Sequence, residues 1–429
     1  MRRRQFLSLL APITMLACTE DVVPPTEITS EEALEATEPP QVGAPSQDDR
    51  KRQAATNNAF AFEIYEHIDR PGENVAVSPV SISTALTMAW AGAKGETEAQ
   101  MRKVLHLEGT RDEVLARTAK TLGALQTSKD YELAIANRLF GEKSSAFEGG
   151  FLDESKKHFG APLAPVDFKN DADGSRKQIN AWVEKQTKQR IKNILPEGSL
   201  DNLTRLVLVN AVHFVAAWQT PFSQERTEKQ AFHTSSSADP IDVSMMFGRI
   251  DARLAEKDGM KLLSLPYAGG TMSMVIVLPN DADALEKGSP MTLASFEALR
   301  SAATDGEVDV VLPRFEIDPA SPVALVDVLA KLGMPLAFDA DKSDFTGISN
   351  PSNPDERLSI AKVFHKAFVK VDEKGTEAAA ATAVAMSGKG AAPTDVPSFR
   401  ADRPFMFFIV DELSGLVLFR GTVRDPSKK

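Results

Sequence analysis

Apolar residues in the first part of the chain recur at helical spacing. Phe60, Ile64 and Ile68 lie four positions apart in NNAFAFEIYEHI, which predicts a helix with one buried face. The run PVSISTALTMAWAGA starts at Pro79, is apolar nearly all round and carries its proline in the first turn, where the missing N–H costs least. This run predicts a buried helix. A third helix is predicted over 177–196, where a proline ends it.

Other stretches have the pattern of β-strands. Apolar residues alternate with other types in YELAIANRLFG (131–141), whereas LVLVNAVHFVAAW (206–218) is apolar almost throughout, as suits a strand covered on both faces. FMFFIVD and LVLFRGTV, joined by ELSG, predict a terminal hairpin. Helices first, followed by strands and helices in no βαβ order, predict an α+β fold. Further strands are predicted at 74–79, 243–248, 260–266, 271–278 and 307–317.

The stretch from Glu373 to Gly390, EKGTEAAAATAVAMSGKG, fits two structures. Alanine is the best helix former and Glu377 would lie in the first turn, so a surface helix is one interpretation. A strand is the other, because no proline interrupts the stretch and every second residue is small or apolar: Thr376, Ala378, Ala380, Thr382, Val384 and Met386. A segment that suits an exposed loop and also has a strand's pattern is a candidate for conditional insertion into a sheet.

The flanking segments favour the second interpretation. LSIAKVFHKAFVKVDEKGTEAA (358–379) and FRADRPFMFFIVDELSGLVLFRGTVRDP (399–426) resemble the segments that flank the reactive loop of the serpins. The resemblance extends over about residues 54–426. The hinge of the loop is similar to that of inhibitory serpins at Glu373, Gly375, Thr376, Glu377, Ala378, Ala379 and Ala380.

The resemblance implies a fold and two clusters of side chains. The serpin fold has one large central β-sheet, two smaller sheets and about eight or nine helices, with the loop, here 376–395, outside the sheets. The family's shutter, a polar cluster beneath the central sheet, matches Ser78, Ser81, Asn210 and His365, each of which needs a hydrogen-bond partner in its apolar surroundings. The family's breach, where the loop would enter the sheet, matches Trp218, Arg314 and Glu373.

The resemblance also implies a function. In inhibitory serpins a protease attacks the loop and forms an acyl-enzyme, and the cut loop then inserts into the central sheet and traps the enzyme. Sixteen residues on from Glu373, the reactive bond falls between Lys389 and Gly390, which suits a trypsin-like serine protease. Met386 is the alternative, and would direct the inhibitor toward elastase- or subtilisin-like enzymes. A non-inhibitory serpin that acts as a carrier or interaction protein is the alternative function, although the small hinge residues favour inhibition.

The composition and the absence of known motifs exclude several other classes of function. A chain of 429 residues with 42% hydrophobic content can bury one large core or two ordinary ones. The net charge of −11 disfavours nucleic acid as a partner, and a single cysteine excludes an internal disulfide. The sequence contains no nucleophile elbow, HExxH, P-loop or dinucleotide fingerprint, so we expect no catalytic residue, metal or cofactor. We expect a monomer whose partner is the target protease.

The N-terminus carries the features of an export signal. Arginines precede a short apolar run, which predicts a signal peptide over 1–17, and Cys18 directly after it resembles the acylated cysteine of a bacterial lipoprotein. An ordinary secretory signal is the alternative. Residues 18–53 are rich in Glu, Pro, Thr and Ser and predict a disordered tether, leaving 54–429 as the folded domain. We therefore expect an exported protein anchored at the cell envelope through Cys18, or otherwise a periplasmic or extracellular one.

Overall fold

The computed structural model describes residues 38–40, 42–161, 163–287, 291–353, 356–377 and 396–429. The predicted helix at Pro79 is confirmed, and all of its residues are buried. In the described part of the chain there are eight α-helices: α1 (Gln47–Ile68), α2 (Pro79–Ala91), α3 (Gly95–Val104), α4 (Arg111–Gln126), α5 (Gly149–Phe159), α6 (Ala172–Gln186), α7 (Leu293–Ala302) and α8 (Val326–Leu332).

The first helix begins earlier than the sequence predicted. Ser46 caps α1: its hydroxyl accepts the N–H of Asp49, and the Asp49 carboxylate accepts the N–H of Ser46. The structure therefore moves the start of the folded part from 54 to 47, and Pro40 and Pro45 are buried as well. The predicted tether was too long because the outer face of a surface helix is as polar as a linker, so composition alone does not separate them.

The helix predicted over 177–196 is shorter than expected. Asp171 caps α6 by accepting the N–H of Gly174 at 2.9 Å, and the helix ends at Gln186. Lys188 and Gln189 then adopt left-handed backbone, with φ of 50° and 66°. Because non-glycine residues rarely adopt this conformation, and never in succession within a right-handed helix, α6 ends ten residues before the proline that was expected to end it.

Two β-sheets contain the strands. The smaller has seven strands in the order β10-β12-β13-β4-β2-β3, with β11 beside β12. The larger has nine, in the order β1-β16-β15-β8-β7-β6-β9-β14, with β5 beside β6. The strands are β1 (Val75–Val77), β2 (Glu132–Glu142), β3 (Ala164–Val166), β4 (Leu206–Ala217), β5 (Glu228–Phe232), β6 (Ile241–Lys257), β7 (Met260–Pro266), β8 (Met272–Pro279), β9 (Thr304–Pro313), β10 (Phe315–Ile317), β11 (Val323–Ala324), β12 (Lys362–Asp372), β13 (Gly375–Thr376), β14 (Ser398–Arg400), β15 (Phe405–Asp411) and β16 (Val417–Val423).

The strand β4 is covered on both faces, as its apolar run predicted. Leu206 and Leu208 pack in the cluster that contains α2, whereas Val207 and Val209 pack in the cluster that contains Trp182 of α6. Successive side chains of a strand point to opposite faces, so the two clusters lie on opposite sides of the seven-stranded sheet. This sheet is therefore the buried centre of the protein.

The larger sheet corresponds to the two smaller sheets that the resemblance implied. They are continuous through β6, whose seventeen residues pair with β5, β9 and β7. The strand predicted over 307–317 is in fact two strands, because the chain leaves the nine-stranded sheet after Pro313 and enters the seven-stranded sheet at Phe315. Arg314 lies at the crossing between the two sheets.

Candidate functional site

The two middle strands of the seven-stranded sheet, β12 and β4, meet along only part of their length. Lys362–Phe368 pair in parallel with Val207–His213, and we call this paired part the seam. Beyond the seam the strands separate, and β13 lies between them, antiparallel to both: Thr376 pairs with Val371 of β12 and with Ala216 of β4. The sheet is thus closed at one end and open to an additional strand at the other.

The first two residues of the loop are already part of the sheet. Thr376 is fully buried, and its hydroxyl and that of Tyr267 lie 2.5 Å apart. Gly375 approaches the backbone of β4 so closely that a Cβ there would lie 2.0 Å from the carbonyl oxygen of Ala216. The expectation that the loop lies outside the sheets from residue 376 is therefore wrong for Thr376. The neighbouring strands separate far enough to pair with the hinge on both sides.

Glu377 is the last described residue of the hinge and points to the opposite face from Thr376. Its carboxylate is 8% exposed and contacts the Nε2 of His213 on β4 and the guanidinium of Arg190, which follows α6. Other predicted site residues lie outside the described part of the chain: Ala378, Ala379, Ala380, Met386, Lys389, Gly390 and Cys18.

The predicted breach residues lie together at the open end of the sheet. Trp218 stacks on Tyr267 with ring centroids 4.7 Å apart, and its indole N–H donates to the carbonyl oxygen of Asp372 at 2.9 Å. The Nε of Arg314 donates to Glu373 at 2.6 Å. The structure therefore brings Trp218, Arg314 and Glu373 to the place where the loop enters.

The Arg314–Glu373 pair is not an ordinary surface ion pair. Glu373 is only 2% exposed, whereas the side chain of Arg314 is 44% exposed. Burial by itself would raise the pKa of the Glu373 carboxyl, but hydrogen bonds from Arg314 and from the hydroxyl of Thr227 more than offset it and leave the pKa lowered. Glu373 is thus a buried, ionised carboxylate whose partners come from the segment between β4 and β5 and from the crossing between the two sheets.

The predicted shutter residues form one network beneath the seam. The Nδ2 of Asn210 donates to the hydroxyl of Ser81 at 2.6 Å, and its Oδ1 accepts from Nδ1 of His365. The Nε2 of His365 in turn accepts the backbone N–H of Ser78 at 3.1 Å. Because Nε2 accepts, the imidazole proton must be on Nδ1. The hydroxyl of Ser78 has no hydrogen-bond partner in the described part of the chain, so Ser78 joins the network through its backbone.

Burial keeps His365 neutral. Desolvation lowers the pKa of its imidazole to about 3, and a hydrogen bond with the backbone of Asn210 opposes this shift only partly. His365 and Asn210 are direct neighbours across the seam. Their hydrogen bond therefore links β12 to β4 at the place where the strands would have to separate for a longer insertion.

Five residues of this site were missed from the sequence. Asn137 on β2 is opposite Asn210, donates to the backbone carbonyl of Ser81 at 3.0 Å and completes a polar row across three strands. The criterion of a polar residue inside an apolar run, which selected Asn210, would also have selected Asn137. The same criterion marks His213, which interrupts the apolar run of β4. No local pattern marks the other three, because their partners come from distant segments: Tyr267, Thr227 and Arg190.

The site contains no arrangement of catalytic or metal-binding type. His213 contacts Glu377 and His365 contacts Asn210 and the backbone of Ser78, so the described contacts of neither imidazole include a serine hydroxyl. In the ranges that the structure covers, no group of three or more His, Cys, Asp or Glu side chains is arranged to bind a metal ion. None of the helices in the same ranges has the length and hydropathy of a membrane span.

Comparisons with known proteins agree with the sequence and the fold. The family model described as serpin (serine protease inhibitor) matches residues 55–426. Human Serpin B3 is 36% identical over 86% of this chain and 98% of its own length, and human leukocyte elastase inhibitor is 36% identical over 87% and 99%. The structure of human thyroxine-binding globulin complexed with its hormone superposes with a TM-score of 0.79 at 27% identity, covering 89% of this chain and all of that one. The predicted serpin fold is confirmed.

Proposed function

The chain belongs to the serpin family, and we propose that it is an inhibitory member that traps a serine protease by inserting its loop between β12 and β4. One observation carries this proposal: Gly375 and Thr376 already occupy the strand position that the rest of the loop would extend. The next inward positions in the sequence, Ala378 and Ala380, are small. Neither steric bulk nor charge opposes continuation of the strand at these two positions.

The proposed inhibition uses the protease's own chemistry. The serine hydroxyl of the protease attacks the carbonyl carbon of Lys389, the amide bond to Gly390 breaks, and Gly390 leaves with the new amino group. The product is an ester between the protease and Lys389. Insertion of residues 377 onward carries this ester away from the place of attack and distorts the protease before water hydrolyses the bond. The inhibitor supplies only stored conformational free energy.

The energy comes from strand addition. In the seam, β12 and β4 share one parallel ladder, and an inserted strand replaces it with two antiparallel ladders. The inserted form therefore gains backbone hydrogen bonds on both sides of the new strand. Protein that has been nicked in the loop should be far more heat-resistant than intact protein, which differential scanning calorimetry measures directly.

A panel of proteases tests the specificity. A trypsin-like enzyme should give a complex that survives denaturing electrophoresis, and sequencing should place the cut between Lys389 and Gly390. Lys389→Glu should abolish the complex, because an acidic specificity pocket repels a like charge. Met386→Ala is the matched control, because it replaces the alternative bait residue without placing a charge at an inward position, and it should still form the complex. A cut after Met386 would correct the position of the bond and leave the inhibitory function intact.

The carrier function is the alternative, and the likeness to thyroxine-binding globulin is the observation that favours it. A carrier needs no insertion of the loop. Two results together would favour the carrier function over inhibition. Intact and nicked protein would melt at the same temperature, and no protease in the panel would form a stable complex.

We also propose that the protein is exported and acylated at Cys18. The short apolar run before the only cysteine supports this proposal. Cys18→Ser should move the protein from the membrane fraction to the soluble fraction. An unmodified thiol, found by intact-mass measurement of the mature wild-type protein, would contradict acylation.

A further inference from the structure

The strand β13 ends at Thr376 because the backbone changes hand at the next residue, Glu377. The N–H of Glu377 still donates to the carbonyl oxygen of Lys370 at 2.9 Å, but its φ is +46°. This is the left-handed region, which a non-glycine residue adopts only when its surroundings favour it. A strand that continued past Glu377 would need an extended backbone with negative φ. Glu377 must therefore change conformation before residue 378 enters the sheet.

Two side chains stabilise the present conformation of Glu377. His213 is buried on β4, where its Nδ1 has no hydrogen-bond partner among the described residues, so its contact with the carboxylate is made through Nε2. Since a carboxylate only accepts, Nε2 carries a proton and donates. Arg190 contacts the other carboxylate oxygen and is half-exposed. We call these interactions of Glu377 with His213 and Arg190 the hinge contact.

Other groups on the same face set the charge around the hinge contact. On β2, Glu132 lies two residues from Ala134, the residue opposite His213, and is bound by Lys188. On β12, Lys370 is exposed beside Glu377, and Phe368 packs against the imidazole with ring centroids 5.9 Å apart. The segment after α6 supplies Lys188 and Arg190. Lys366, on the same face of β12 two residues before Phe368, is bound by Asp318. His213 is the only imidazole among these described contacts.

We propose that His213 and Arg190 are positioning residues for the hinge: they stabilise Glu377 in its left-handed conformation and so delay insertion of the loop, more strongly when His213 is protonated. The proposal rests on the inhibitory function proposed above. An imidazolium attracts the carboxylate more strongly than a neutral imidazole does, and imidazoles commonly change charge between about pH 5 and 8. Insertion should therefore slow when His213 takes up a proton.

Slower insertion changes the outcome of the reaction with a protease. The acyl-enzyme hydrolyses at its own rate, so a delay in insertion lets more inhibitor molecules be cut and released for each protease trapped. The number of inhibitor molecules cut and released per protease trapped, which is the number consumed minus one, should rise about two- to fivefold between pH 8 and pH 5.5.

The experiment measures this number for four proteins with one protease at both pH values. The pH dependence of the protease itself is common to all of them, so only differences between proteins are interpreted. His213→Gln keeps a neutral donor to Glu377, and Glu377→Gln removes the charge from a hinge residue with no role in the core. Both should flatten the rise seen with the wild type. Lys188→Ala is the matched control, since Lys188 lies on the same segment as Arg190 but binds Glu132, and it should keep the rise.

Amide hydrogen exchange gives a second readout that does not depend on any protease. After correction for the intrinsic rate, the Glu377 amide of the wild type should be more protected at pH 5.5 than at pH 8, and His213→Gln should remove this difference. If complexes form but His213→Gln and Glu377→Gln keep the wild-type profile, the positioning role is overturned. If the wild type forms no complex and gains no heat resistance on nicking, the inhibitory function is overturned instead. If His213→Gln keeps the wild-type difference in Glu377 amide protection between the two pH values, the hinge contact is rejected separately.

Discussion

The strands β12 and β4 are in contact at one end and separated at the other. In the seam they share a parallel ladder, and the hydrogen bond between His365 and Asn210 links them. At the open end they are bridged by β13, whose Thr376 reaches Tyr267. The difference teaches that the proposed insertion would not have to start an opening. It would extend an existing one into a region that a buried polar network keeps closed.

A charge at position 376, the inward position of the hinge, should have the largest effect on the difference between the two ends of the strands. Thr376→Arg places an unpaired cation where the wild type has a fully buried hydroxyl, at a cost of several kcal/mol. The hinge should leave the sheet, and the variant should be cut at the same bond and released as a substrate. Thr376→Ser, which keeps the hydroxyl for Tyr267, is the control. A variant that still traps its protease with wild-type efficiency would show that this position does not enter the sheet.

Acid should weaken the closed end. The folded-state pKa of His365 is about 3, well below its ordinary value of 6.5, so the unfolded chain takes up a proton first as the pH falls. The stability that depends on neutral His365 is complete above about pH 6.5 and is lost progressively toward pH 3, by up to ~1.4 kcal/mol per pH unit. The check is the free energy of unfolding against pH for wild type and His365→Asn. Equal slopes in this window would contradict the prediction.

Removal of the hydrogen bond between Asn210 and His365 should weaken the seam specifically. Asn210→Ala leaves the Nδ1–H of His365 buried without its partner, which should lower the free energy of unfolding by about 1–3 kcal/mol. Asn57→Ala is a matched control, because Asn57 is equally buried but bonds Ser83 and Val417 away from the seam. Both variants should melt earlier, but only Asn210→Ala should lose inhibitory activity or form oligomers faster on mild heating. The same rate for both would mean that the network has no special effect on opening.

The smallest effect is expected at the open end of the sheet, where Arg314 binds Glu373. Arg314→Ala leaves the buried carboxylate of Glu373 with the hydroxyl of Thr227 and should lower the free energy of unfolding by about 1–2 kcal/mol. Arg249→Ala removes an equally close but solvent-exposed pair with Asp309 and should cost about 0–1 kcal/mol. Denaturant unfolding of both variants makes the comparison. Equal losses would show that burial of Glu373 does not strengthen its dependence on Arg314.

Much of the fold could be predicted from the sequence because it depends on local patterns of apolar and polar side chains. The buried helix after Ser78, the doubly covered β4 and the terminal hairpin follow from side-chain periodicity, which reports the faces that a segment buries. The members of the polar network could be named because each interrupts an apolar run and together they match the shutter of the serpin family. Asn137 interrupts such a run as well, and was missed only because its strand was assigned from its apolar positions.

By itself, the sequence determined which segments form helices and strands, which faces they bury, and to which family the chain belongs. The tertiary structure alone decided that Gly375 and Thr376 already lie in the sheet, that Arg314 marks a crossing between two sheets, and that His213 meets Glu377. The reason is physical. Periodicity depends on neighbours along the chain, whereas strand partners and ion pairs here join segments more than a hundred residues apart, and their register is set only when all the segments pack together.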